Sequence, residues 1–154
     1  MLEVTRKDGV IYLKGVIHER GELLSLITDK PPLSINLKEI SGINSQGVLG
    51  FVEFVRHLGD AEVVFMQCST PVVDAMCIVP AMLGTPAKLT RLRSFYVDFK
   101  CADCDDEFEV LVDVRNVPKA PKELGSTTCP KCGADAYAIN EPETIFMYLY
   151  PEAP

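Results

Sequence analysis

The sequence lacks the features that mark several large function classes. No apolar run approaches the length that spans a bilayer, so membrane insertion is not expected. The opening residues, MLEVTRKDG, hold no apolar signal core, which makes the cytoplasm the expected compartment. There is no internal repeat and no low-complexity tract, which sets aside solenoids and disordered arrays. The G-x-S-x-G nucleophile motif is absent. Histidine occurs twice, as His18 and His57, and neither stands in a recognisable catalytic motif. An excess of positive charge is also missing. Residues 1–94 hold ten Lys/Arg against ten Asp/Glu, and residues 95–154 hold five against twelve. The whole net charge of −7 therefore lies in the C-terminal third, where it repels phosphates and argues against a nucleic-acid partner.

What is present is a chain of 154 residues that is 47% apolar, enough for a real core in one domain or two small ones. Residues 1–18 alternate apolar and polar positions around Asp8-Gly9, which predicts a β-hairpin. Leu23, Leu24 and Ile27 mark a short helix that must end before Pro31-Pro32. Leu33, Ile35 and Leu37 alternate as in a strand. Val48, Phe51, Val52, Val55 and Leu58 form one stripe of a helix, with Gln46, Gly50, Glu53 and His57 opposite. The run AEVVFMQC predicts a buried strand. Thr70-Pro71 then predicts a helix start, with Pro80 shortening that helix and Gly84 ending it. The order is β-β-α-β-α-β-α, an α/β layer. A junction at GTPAKLTRLRS leads to strands and turns without a long helix, so the expected division is 1–92 and 93–154.

The strongest chemical signal is Cys101-x-x-Cys104 followed by Cys129-x-x-Cys132. Two residues between cysteines let one tight turn aim both sulfurs at a single cation, and two such turns complete a tetrahedral S4 site. Pro130 and Gly133 suit the second turn. The pattern resembles a zinc ribbon over residues 93–150, with strands in RSFYVDFK, EFEVLVDV, AYAIN and TIFMYLY. One structural Zn2+ is the expected cofactor. Four cysteine ligands leave no position open for water or substrate, so no catalysis is expected there. Iron fits the same S4 geometry. Cys68 and Cys77 stand alone in apolar segments and read as packed thiols.

The element order and the stretch INLKEISGINSQGVLGFVEFVRHL resemble the STAS domain family, the fold of anti-sigma-factor antagonists and of transporter-associated regulatory domains. The resemblance covers residues 1–92. It implies an α/β fold with a mixed sheet and helices on one face, followed here by the small all-β ribbon. The family motif Asp-Ser/Thr-Ser/Ala-Gly falls on Asn44-Ser45-Gln46-Gly47, so Asn44 replaces the acid and Gln46 a small residue. The resemblance implies a protein partner, such as an anti-sigma-factor kinase that phosphorylates Ser45, and no enzymatic activity. By physical reasoning, Ser45 near a helix N-terminus is expected to act as a cap. It is not expected to be a nucleophile, because His57 lies about 18 Å along the helix by rise per residue. The expected partner-binding residues are Asn44, Ser45, Gln46, Gly47, Gly50, Glu53 and Phe54, with Phe54 half exposed at the edge of the stripe. A thiol or zinc redox sensor built on the four cysteines, and a soluble subunit of a transporter, are the alternative functions. The oligomeric state is left open.

Overall fold

The computed structural model describes residues 2–116 and 126–139. The hairpin forms as expected: β1 (Glu3–Lys7) and β2 (Val10–Ile17) are antiparallel. Asp8 and Gly9 form the turn, at φ 52° and 78°. Two successive positive φ values suit the twist of a tight hairpin, and Asp-Gly tolerates them. The chain continues through α1 (Glu22–Leu26), β3 (Leu33–Ile43), α2 (Ser45–Leu58), β4 (Val63–Met66) and α3 (Thr70–Ile78). The order β-β-α-β-α-β-α is that of the sequence reading. The first sheet is mixed, in the order β1-β2-β3-β4, with β2, β3 and β4 parallel.

Period-two burial sorts the sheet into two faces. Ile11, Leu13, Ile17, Ile35, Leu37 and Phe65 enter the core, where they meet Leu23, Phe51, Val55 and Met76. Tyr12, Lys14 and Lys38 stand on the opposite, exposed face. Phe51 of α2 packs on Phe65 of β4 with ring centroids 4.9 Å apart. Two bulges separate β2 from β3, one between Tyr12 and Lys14. Buried Asn36 secures that region. Its carbonyl accepts from the Lys38 N–H at 3.0 Å, and its amide donates to Gln67 Oε1 at 3.0 Å.

Some boundaries differ from the sequence reading. β4 spans four residues rather than the full apolar run, because Gln67 turns the chain at φ 50°. The N-cap of α3 is Ser69, and Thr70-Pro71 lie inside the helix. The Ser69 hydroxyl instead donates to the Ile40 carbonyl at 2.6 Å. After α3, a 3-10 turn (Pro80–Leu83) stops at Gly84, as expected.

The second sheet is antiparallel, in the order β6-β5-β8-β7. Its strands are β5 (Ser94–Cys101), β6 (Glu107–Asp113), β7 (Ser126–Thr128) and β8 (Asp135–Ala138). The strand expected at TIFMYLY lies outside the described residues. The start of β5 also runs parallel beside β4. The Arg93 N–H donates to the Phe65 carbonyl, the Cys68 N–H to Ser94 and the Tyr96 N–H to Cys68, at 2.8–3.0 Å. One hydrophobic core therefore extends from Leu2 through Phe95, Val97 and Phe99 to Ala136. Among the described residues no helix is long and apolar enough to cross a membrane.

Candidate metal centre and serine turn

The four cysteines come together. Cys101 is the last residue of β5, and the chain turns at Asp105 (φ 58°) before entering β6. The N–H groups of Asp103 and Cys104 both point at Cys101 Sγ, at 3.4 Å. The second turn joins β7 to β8. The Gly133 N–H donates to the Cys129 carbonyl at 3.0 Å, and Gly133 holds φ 78°, which favours glycine. Pairing of β5 with β8 brings the turns face to face, with Cys101 in register with Ala136. All four sulfurs lie within 4.8 Å of one another. Cys101 and Cys132 are 3.4 Å apart, and Cys104 and Cys129 are 3.7 Å apart.

These separations fit a metal. With a Zn–S bond of about 2.3 Å, a tetrahedron has an S–S edge of about 3.8 Å. Cys101 and Cys129 are buried, while Cys104 and Cys132 are exposed. The Cys101 thiol is lowered to about 7, first by the Cys104 N–H, with the Asp103 N–H adding to it. Cys104 and Cys132 move the other way. The N–H groups of Asp106 and Ala134 favour their thiolates, but burial and neighbouring thiols outweigh this and raise both. Four thiolates at this spacing need a cation between them. The donor set fits one thiophilic metal ion, best zinc, held by Cys101, Cys104, Cys129 and Cys132. Zinc bound there supplies folding free energy to a small sheet.

The serine turn differs from the expectation in one respect. Asn44, not Ser45, is the N-cap of α2. Its side chain accepts from the Gly47 N–H at 2.8 Å, and its own N–H donates to the Ile17 carbonyl. Asparagine caps as well as aspartate, so the helix loses little by carrying Asn44 rather than an acid at this position. Ser45 is the first helical residue. It is exposed, and its hydroxyl makes no hydrogen bond among the described residues. Gln46 is also exposed.

The expected docking face on α2 needs correction. Gly47, Gly50 and Phe54 are buried, Phe54 at 2% exposure. The buried seam runs through Gly47, Gly50, Phe51, Phe54 and Val55, rotated from the predicted stripe. The two glycines cause the rotation. A Cβ on Gly47 would run into the Ile17 carbonyl oxygen, and one on Gly50 into that of Arg20. The helix approaches the chain after β2 through its glycines, and this turns Phe54 into the core. Glu53 is half-buried and takes both Nε and Nη2 of Arg20, at 2.8 and 2.6 Å. Leu49, absent from the expected set, is 43% exposed one turn after Ser45. Its place opposite Gly47 and Gly50 follows from helical spacing once the glycines are read as contact residues.

No family model, no curated protein and no solved structure matches the chain.

Proposed function

We propose that the protein is a non-enzymatic regulatory module. It docks a protein partner at the turn Asn44-Ser45-Gln46, with Leu49 beside it. The observation that carries this reading is the exposed, uncommitted hydroxyl of Ser45 at the first position of a capped helix. The order β-β-α-β-α-β-α and the turn's place between β3 and α2 support the STAS resemblance. That resemblance favours anti-sigma-factor antagonism, with a kinase as partner and Ser45 as its substrate. A phosphate on Ser45 would meet the N-terminal end of the helix dipole, so the fold tolerates the modification while a partner docked on a neutral hydroxyl does not. In this reading the zinc is structural.

A second reading has its own support. The four thiols lie within 4.8 Å of one another, and two of them, Cys104 and Cys132, are exposed. That combination suits a thiol sensor that gives up its metal on oxidation. A transporter component is the remaining candidate partner for the docking reading.

Capture of partners from the native cells with wild-type, Ser45→Ala and Ser45→Asp proteins tests these readings together. The docking reading predicts capture of a kinase or transporter subunit by wild type and Ser45→Ala, and its loss with Ser45→Asp. Equal capture by all three removes the turn from the interface. Capture lost only after mild oxidant, in step with zinc release, favours the sensor.

A further inference from the structure

The second sheet turns one face to the core and the other to solvent. Phe95, Val97 and Phe99 point inward, so Tyr96, Asp98 and Lys100 point outward. The register places Tyr96 opposite Leu111 and Asp98 opposite Glu109. Tyr137 lies opposite Lys100, and the Ile139 N–H donates to the Asp98 carbonyl at 2.9 Å. On this face Leu111 is 45% exposed, Tyr137 53% and Ile139 50%. Leu111 on β6, and Tyr137 of β8 with Ile139 just after it, thus flank the outward Tyr96 and Asp98 of β5.

The charges on the face say what contacts it. Asp98 and Glu109 are like charges directly opposite each other, an arrangement that destabilises a strand pair, while the next outward pair, Lys100 and Glu107, is of opposite sign. Neither Asp98 nor Glu109 makes an ion pair among the described residues. A cleft of about 510 Å3 opens beside them, lined also by Lys38 and by Glu39, which pairs with Lys14 at 3.8 Å. Three occupants fit this charge badly. Residues 140–154 carry three glutamates and no Lys or Arg. A second copy would set acid against acid across a two-fold axis. Nucleic acid is repelled.

We propose that this face docks a basic segment of another protein. Its Lys or Arg side chains enter the cleft at Asp98 and Glu109, and its apolar side chains lie over Leu111, Tyr137 and Ile139. The surface is separate from the serine turn, and the proposal does not rest on the role of Ser45.

The test titrates the zinc-loaded full chain into two labelled peptides, one alternating arginine and leucine, the other glutamate and leucine, and reads fluorescence anisotropy. The arginine peptide is expected to bind, more weakly as salt rises, and the glutamate peptide is not. Asp98→Asn with Glu109→Gln is expected to weaken binding on the order of tenfold. The same double variant is expected to melt no lower than wild type, since it relieves a like-charge pair. Leu111→Ser is expected to weaken binding at every salt concentration. Equal binding of both peptides overturns the proposal, as does unchanged binding by the double variant. So does binding that appears only after removal of residues 140–154, or a wild-type dimer that Leu111→Ser dissolves.

Discussion

The Asn44 side chain accepts a 2.8 Å hydrogen bond from the Gly47 N–H and so closes the first turn of α2. The bond leaves the neighbouring Ser45 hydroxyl with no structural task. Asn44→Ala is therefore expected to destabilise the protein by about 1 kcal/mol, and Asn44→Asp to leave it unchanged. Ser45→Ala is expected to stay within about 0.5 kcal/mol of wild type. Urea denaturation of the three variants separates these outcomes. A larger loss for Ser45→Ala than for Asn44→Ala reverses the assignment of the cap.

Gly47 and Gly50 set the distance between α2 and the chain after β2. Alanine is the better helix former by about 1 kcal/mol, yet either substitution drives a Cβ into a carbonyl oxygen. Gly47→Ala and Gly50→Ala are each expected to lose about 2–3 kcal/mol net, through overpacking. Thermal melts decide it. A rise in Tm means that the helix stands farther off than described.

Metal and the second sheet are expected to be coupled. One zinc per chain should be found by elemental analysis, and strong chelators should remove it with loss of amide protection in β5–β8. Cys129→Ser, which removes a buried ligand, should act as the chelator does. β1–β3 pair with one another and not with the second sheet, and they should stay protected. Retention of full protection in metal-free protein argues that the zinc does not hold this sheet.

Acid response has a local marker. The Arg115 side chain, helped by its own N–H, lowers the Asp113 carboxyl to about 2. Because the folded value is depressed, the pair's stabilisation is present above the ordinary aspartate range, near pH 4, and is lost as pH falls toward 2. Arg115→Ala should return Asp113 toward its ordinary value in an NMR titration. No movement would assign the shift to other groups.

The elements legible in the sequence were those with strict periods. The hairpin, the strand at Leu33–Leu37, the helix after Ser45 and the C-x-x-C turns each carry a repeating or spaced signal that local chemistry imposes. The four-cysteine cluster followed from spacing alone, because C-x-x-C allows few turn shapes. The division of α2 into buried and exposed faces did not follow. Glycine counts as neutral in a hydropathy stripe, but at Gly47 and Gly50 it is the contact residue, and it moves the buried seam by part of a turn. Ser45 and Asn44 both rank among the best caps, so sequence alone could not divide the task between them. The opposition of Asp98 and Glu109 depends on strand register across a tight turn, which residue types at those positions do not announce.

The most direct measurement of the docking account is the intact mass of the protein purified from its own cells, first under native and then under denaturing conditions. Native mass reports bound metal, and denatured mass reports covalent change. The account predicts one zinc in the native form, together with a population bearing one phosphoryl group that maps to Ser45. A chain that carries zinc but stays unmodified at Ser45 across growth conditions contradicts the switch, and a chain with no metal contradicts the ribbon.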